Sequence, residues 1–244
     1  MKSSFLYRST ALAFASIFFL VACSFSTENS NRQDDDRSSR TFDLKGFDRL
    51  SLGSAFTITV TKGNHAVKVE GRKQDIEELK ADVVGGKLRI GYKNHNGWNK
   101  NRKRVTVTIA MPTLKALDLS GASTSKVTGF DDLGTLDLDI SGASKSDIQV
   151  KAQKIVMDMS GASTITLTGT ADRLEGEVSG ATSFRAYDFP VKEAFLDVSG
   201  ASNIKVSVSG KLEVEASGAS SVRYRGSASV RSNTSGASSV KRES

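Results

Sequence analysis

Cys23 is the only cysteine in 244 residues, so no disulfide within the chain can brace the fold. Histidine is nearly as scarce: with only His65 and His95, the many serines have few bases that could make one of them a nucleophile. Two prolines, Pro112 and Pro190, are too few for a proline-rich linker. The longest apolar run, Ala11 to Ala22, is too short to cross a bilayer comfortably. Strong charge of one sign is also missing. Without Lys2 and Arg8, which lie in a leader expected to be removed, 32 basic residues face 27 acidic ones, an excess of +5 that is no nucleic-acid signature. What remains, 38% hydrophobic residues with 21 glycines, suits a folded, β-rich chain.

Lys2 and Arg8 before the apolar run give the order of a secretory signal, predicted over residues 1–22. The run ends in Leu20-Val21-Ala22-Cys23, which resembles the lipobox of bacterial lipoproteins. The resemblance implies that Cys23 is acylated and anchors the protein to a membrane through lipid. Ser24, where proteins of this class kept at the inner membrane usually carry Asp, implies the outer membrane, on its periplasmic or its surface face. The alternative is an ordinary cleaved signal that leaves a free thiol. Residues 23–41 follow as a polar tether, disordered by composition and including Asp34-Asp35-Asp36. Its 18 residues from Ser24 to Thr41 would reach roughly 60 Å if fully extended.

From Phe42 to Pro112 the sequence alternates in strand fashion. Phe56, Ile58 and Val60 share one parity, Val67 and Val69 another run, with Lys62-Gly63-Asn64 between them, and the pair predicts a hairpin. Gln74 to Leu79 predicts a helical turn, and 87–92 and 105–110 two more strands. Between these lies a basic stretch with a tryptophan, in which Trp98, Lys100 and Arg102 are candidates to bind a sugar, a phosphate or an acidic polymer by stacking and charge. The bland alternative is a solvated hairpin loop with one packed Trp.

Residues 113–244 are repetitive. Ser-Gly-Ala recurs at Ser120, Ser141, Ser160, Ser179, Ser199, Ser217 and Ser235, in steps of 21, 19, 19, 20, 18 and 18 residues, and Ser or Thr follows every copy. Apolar residues alternate on both sides, as in Met157 and Met159 before one copy and Ile165 and Leu167 after it. Such a unit cannot bury its apolar face alone, so neighbours must stack. The predicted fold is all-β: a β-solenoid of about seven rungs of 18–21 residues, a rod of roughly 30 Å at strand spacing, capped by the β-rich segment before Pro112. The hydroxyls read as small groups closing a tight turn, not as nucleophiles.

Down the rungs, the outward residue two before each serine forms an acidic ladder: Asp118, Asp139, Asp158, Glu177, Asp197 and Glu215, ending in Asn233. Six after each serine a mostly basic ladder appears, with Lys126, Arg185, Lys205, Arg223 and Lys241, interrupted by Asp147 and Thr166. Both ladders are candidate ligand-binding surfaces. Like charges opposite one another are destabilising, so the acidic row calls for an offset: cross-rung salt bridges, a divalent cation, or a basic partner. The nonapeptide pattern of calcium-binding β-rolls is missing, and no metal or cofactor is expected.

Phe56-Thr57-Ile58-Thr59-Val60, Gly86-Lys87-Leu88-Arg89-Ile90, Val107-Thr108-Ile109-Ala110-Met111-Pro112-Thr113-Leu114 and the serial Ser-Gly-Ala corners together resemble the GIN-domain family, the head domain of auto-transporter adhesins, over nearly the whole mature chain. The resemblance implies a right-handed β-helix in a secreted or lipid-anchored bacterial envelope protein, and no reaction. A carboxylate ladder spread evenly over the rungs also singles out no acid pair for glycoside hydrolysis. The expectation is a non-enzymatic protein that binds polysaccharide, peptidoglycan or another surface. Its alternatives are a structural or assembly partner in the envelope and, less favoured, a polysaccharide-active enzyme. No nucleic-acid partner is expected, and a monomer is favoured.

Overall fold

The computed structural model describes residues 36–93 and 102–243. The leader, Cys23, Trp98 and Lys100 lie outside them. Sixteen strands and one helical turn follow in chain order: β1 (Arg37–Phe42), β2 (Arg49–Gly53), β3 (Phe56–Lys62), β4 (Ala66–Arg72), α1 (Lys73–Glu77), β5 (Leu79–Val84), β6 (Lys87–Tyr92), β7 (Val105–Met111), β8 (Ala116–Ser120), β9 (Thr124–Ile140), β10 (Lys145–Met159), β11 (Thr164–Val178), β12 (Ser183–Val198), β13 (Asn203–Ala216), β14 (Ser221–Arg225), β15 (Ser229–Thr234) and β16 (Ser239–Arg242).

The repeat forms a β-solenoid. Each of β9 to β13 leaves one Ser-Gly-Ala corner, bends midway and enters the next, so it contributes to two faces, an exit face and an entry face. Neighbouring rungs pair in parallel: Met157 lies opposite Leu138 and Gly176, and Ile165 opposite Ser146 and Phe184. The alternation in sequence is therefore the inside-outside alternation of the pleat. Leu119, Ile140, Met159, Val178, Val198 and Ala216 stack as one buried column, and Leu117, Leu138, Met157, Leu196 and Val214 as another. Within this second column Gly176 makes room for its neighbours, since a Cβ there would meet Met157 Cε at 3.0 Å and Leu196 Cδ2 at 3.2 Å.

The corners explain the invariance of the motif along the chain. Each corner glycine after the first sits directly over the one before it with positive φ, for example +77° at Gly142 and Gly161, and a Cβ would collide with the underlying carbonyl oxygen. Each alanine N–H from Ala143 onward donates to that carbonyl at 2.7–2.8 Å. The hydroxyl that follows is buried through Ser220 and closes the turn: Ser144 Oγ donates to Ser141 O at 3.0 Å, Ser163 Oγ to Ser160 O at 3.1 Å and Ser220 Oγ to Ser217 O at 2.8 Å. A hydroxyl satisfied by its own corner carbonyl supplies geometry instead of chemistry.

Three expectations for the N-terminal half are corrected. β3 and β4 do not form a hairpin, because β7 lies between them, parallel to β3 and antiparallel to β4. Nor do β6 and β7 pair: β6 lies against β2 and β5, and β7 against β3 and β4. Local turn signals favoured hairpins, but Phe56, Ile58 and Val60 stack in parallel on Val105, Val107 and Ile109, and all six are buried there. Finally, the tether does not reach Thr41, since β1 begins at Arg37 and pairs with β4.

The segment before Pro112 is thus more than a cap. β2 and β8 are parallel, as are β3 and β9, so β2–β3 continues the solenoid, and β6 with β7 stacks on β2–β3 in turn. The cap proper is antiparallel: β5 closes the entry face, and β4 and β1 the exit face. Asp75 of α1, 1% exposed, holds this end together. Its carboxylate accepts from Arg72 Nε at 3.0 Å, from a second Arg72 nitrogen at 3.1 Å and from the Lys103 backbone N–H at 3.1 Å. At the far end the inward positions turn polar. Ser232 and Thr234 are exposed, and Arg242 extends the column of Val206 and Tyr224. Hydroxyls and an inward charge in place of apolar groups are a known protection for a sheet edge.

Candidate functional site: two charged faces

On the entry face the acidic ladder is real and in register. Asp118, Asp139, Asp158, Glu177, Asp197 and Glu215 are successive Cα partners on adjacent strands, preceded by Ser51 and followed by Asn233. Strand pairing sets their spacing at about 4.8 Å. The salt bridges expected to offset them are not there. Among the described residues none of the six carboxylates has an ion-pair partner, and Asp118 only accepts from Ser51 Oγ at 2.8 Å.

The ion pairs that do form occupy the outward columns beside the ladder. Lys154 and Arg173 each lie 2.7 Å from Glu175, Arg173 reaches Glu193 at 3.0 Å, and Lys211 meets Glu213 at 2.9 Å. Parallel register decides this, because a ladder residue's closest cross-strand neighbours are other acids. Among the described residues no three His, Cys, Asp or Glu converge as metal ligands would.

Desolvation, then repulsion from Asp118 and Asp158, raises the Asp139 carboxyl above the ordinary range, with Lys87 opposing. Around it the face forms a groove of about 570 Å³, with Arg49 and Lys87 at one end and Asp118, Asp139, Asp158 and Glu177 along it.

The exit face carries the opposite sign. Arg185, Lys205, Arg223 and Lys241 are consecutive partners on four adjacent strands, and none lies within ion-pair distance of a carboxylate among the described residues. Lys126 stands apart, separated from them by Asp147 and Thr166. Tyr187 lies among the cations, with the Arg225 guanidinium 4.1 Å and the Lys205 ammonium 5.5 Å from its ring centroid, and its hydroxyl donates to Glu243. Burial and the bond to Glu243 push the Tyr187 hydroxyl up to about 12. The same bond, with Arg225, Lys205 and Arg223 nearby, holds the Glu243 carboxyl below its usual range.

Sequence reasoning missed Tyr187, Arg225 and Glu243. All three were within reach by reading the position two residues beyond the basic ladder, which gives Tyr187, Ser207, Arg225 and Glu243. Arg102, a candidate ligand-binding residue, is instead committed to structure: its guanidinium donates to Glu78 at 2.7 Å and lies 4.0 Å from the centroid of the Tyr92 ring. His65, the histidine inside the described residues, shares a 2.8 Å hydrogen bond between its Nε2 and Phe47 O and packs edge-on against the Phe47 ring.

Among the described residues no helix is long and apolar enough to cross a membrane. The chain superposes on a crystal structure from Bacteroides fragilis described as a "putative adhesin", with a TM-score of 0.77 at 19% identity over 86% of this chain and 98% of the other. A second "putative adhesin", from Parabacteroides distasonis, gives a TM-score of 0.68 at 18% identity over the same shares. A "putative lipid binding protein" from that species gives 0.63 at 15% identity, again over 86% and 98%. At these identities the likeness establishes the shared fold. No curated protein matches the chain. A family model described as "Putative auto-transporter adhesin, head GIN domain" matches residues 46–228, from the turn before β2 to the last rungs of the solenoid, and the chain belongs to that family.

Proposed function

We propose that this protein is a non-enzymatic binding module of the bacterial outer membrane, anchored by lipid on Cys23, whose entry face takes a hydroxyl- or ammonium-bearing polymer such as a glycan or peptidoglycan. The observation that carries the reading is the row of six in-register carboxylates without ion-pair partners among the described residues, four of which line a groove. Like charges directly opposite one another are destabilising, so the row costs the fold stability that a ligand outside it would offset. Carboxylates accept hydrogen bonds from sugar hydroxyls and attract ammonium groups, and weak contacts repeated once per rung add through multivalency. Membership of a family described as adhesin heads supports binding over catalysis. So does the commitment of the corner hydroxyls to backbone carbonyls.

The test is co-sedimentation of the mature protein with purified peptidoglycan sacculi and with surface polysaccharide, using the wild type and the triple variant Asp139→Asn/Asp158→Asn/Glu177→Gln. Retention of the wild type on one of these, reduced at least about tenfold in the variant, is expected. Equal retention of both proteins would remove the acidic face as the binding surface.

A further inference from the structure

We infer that the exit face carries a second binding surface, independent of the groove and opposite in sign, that takes an anionic polysaccharide. Arg185, Lys205, Arg223 and Lys241 stand one per strand on four adjacent strands. The row therefore runs along the solenoid axis in steps of about 4.8 Å. Internal electrostatics does not account for it. The carboxylate drawn into this cluster, Glu243, is held by the Tyr187 hydroxyl, and three cations, Arg225, Lys205 and Arg223, share its field. Some cations of the entry face do find carboxylates, as Lys154, Arg173 and Lys211 do. The row of unpaired cations lies on the last four rungs.

The geometry suits a linear polyanion better than a membrane. The cations form a line one residue wide, and the large exposed apolar residues, Val84 and Val230, lie on β5 and β15 of the other face. Apolar groups inserted beside the charges strengthen seating on lipid, and this surface offers none among the described residues. A sulfated or uronate-bearing chain can meet each cation in turn, and the arginines can receive carboxylate or sulfate oxygens bidentately. Tyr187 adds preorganisation: it lies under Arg225 and Lys205 with its hydroxyl fixed to Glu243, so these cations are positioned before a ligand arrives.

Dextran sulfate and polygalacturonate, with neutral dextran as the control, are the probes, and retention in affinity electrophoresis is the readout. Wild-type protein is expected to be retarded by both polyanions and not by dextran, with retardation falling steeply as salt is raised. Arg185→Gln/Lys205→Gln/Arg223→Gln should weaken it at least about tenfold. The charge-keeping variant Arg185→Lys/Lys205→Arg/Arg223→Lys should remain within about threefold of wild type, which separates lost charge from lost folding. Equal retardation of the glutamine variant, or tighter binding to anionic lipid vesicles than to either polysaccharide, would overturn the proposal. Asp139→Asn/Asp158→Asn/Glu177→Gln should leave polyanion binding intact. A protein retained on neither sacculi nor surface polysaccharide but retarded by dextran sulfate would sink the proposed function of the groove and leave this surface standing.

Discussion

At the scale of single residues, the corner glycines carry the most specific requirement in the chain. Gly161 has φ +77°, and a Cβ would run into the carbonyl oxygen of Gly142, which accepts the Ala162 N–H at 2.8 Å. Two penalties therefore combine at one atom: a left-handed backbone, worth about 1–2 kcal/mol against any L side chain, and a clash that relaxes only by separating two rungs. Gly161→Ala is expected to lower unfolding stability by at least about 2 kcal/mol in urea titration. Ser163→Ala, two residues on, should cost about 1 kcal/mol, because it removes one hydroxyl bond and leaves the backbone ladder intact. If the two substitutions cost the same, steric stacking of the glycines is not what fixes the corner. The recurrence of Ser-Gly-Ala was legible at once, but what made glycine obligatory was not, since the colliding oxygen belongs to a residue 19 positions earlier.

At the scale of elements, parallel register turns one outward position into a row of like charges. The effect is measurable at Asp139, whose carboxyl is raised first by desolvation and then by Asp118 and Asp158. A carboxyl whose folded pKa lies above its unfolded one favours folding when protonated. That contribution is present below the unfolded pKa and is lost as pH rises through the raised folded value. At pH 7 Asp139 thus works against the fold, and Asp139→Asn should be more stable than wild type. Solvent screening limits the gain to about 1 kcal/mol at most. The advantage should shrink as the pH is lowered through the carboxylate range. Parallel stability curves at every pH would mean that the ladder carries no repulsion. The ladder itself was visible in the sequence. That its salt bridges would form in the neighbouring columns was not, because which cation reaches which acid depends on side-chain reach across strands. The hairpin expected of β3 and β4 fails for the same reason: a turn signal reports only that the chain reverses, while partner choice is settled by which strands bury the larger apolar surface together.

At the scale of the molecule, the solenoid is close to one-dimensional, each rung touching only the rungs above and below. Deleting residues 160–178, one full period from one corner serine to the next, joins Met159 to Ser179 and leaves every column intact. This variant should fold with an unchanged far-ultraviolet β signature and unfold cooperatively, with a smaller denaturant slope because less surface is exposed. Deleting residues 160–169, about half a period, should give an aggregating product, because it joins an entry strand to the bend of the next rung. A shortened variant that fails to fold would mean that the rungs are not interchangeable and that the stack is specified as a whole.

The sequence by itself determined the repeat, its period, the inward and outward assignment of the residues flanking the corners, and the two charged ladders. All of these follow from local alternation and the distance between corners. Only the tertiary structure decided that β2–β3 and β6–β7 continue the stack, that the antiparallel strands β1, β4 and β5 close it, and that the ladder carboxylates have no ion-pair partners among the described residues while Arg102 is already paired. The physical reason is common to these cases. Periodicity states which side of a strand is buried, whereas the partner of a strand or a charge is fixed by competition among segments far apart in the chain, and that competition is settled only when the stack closes.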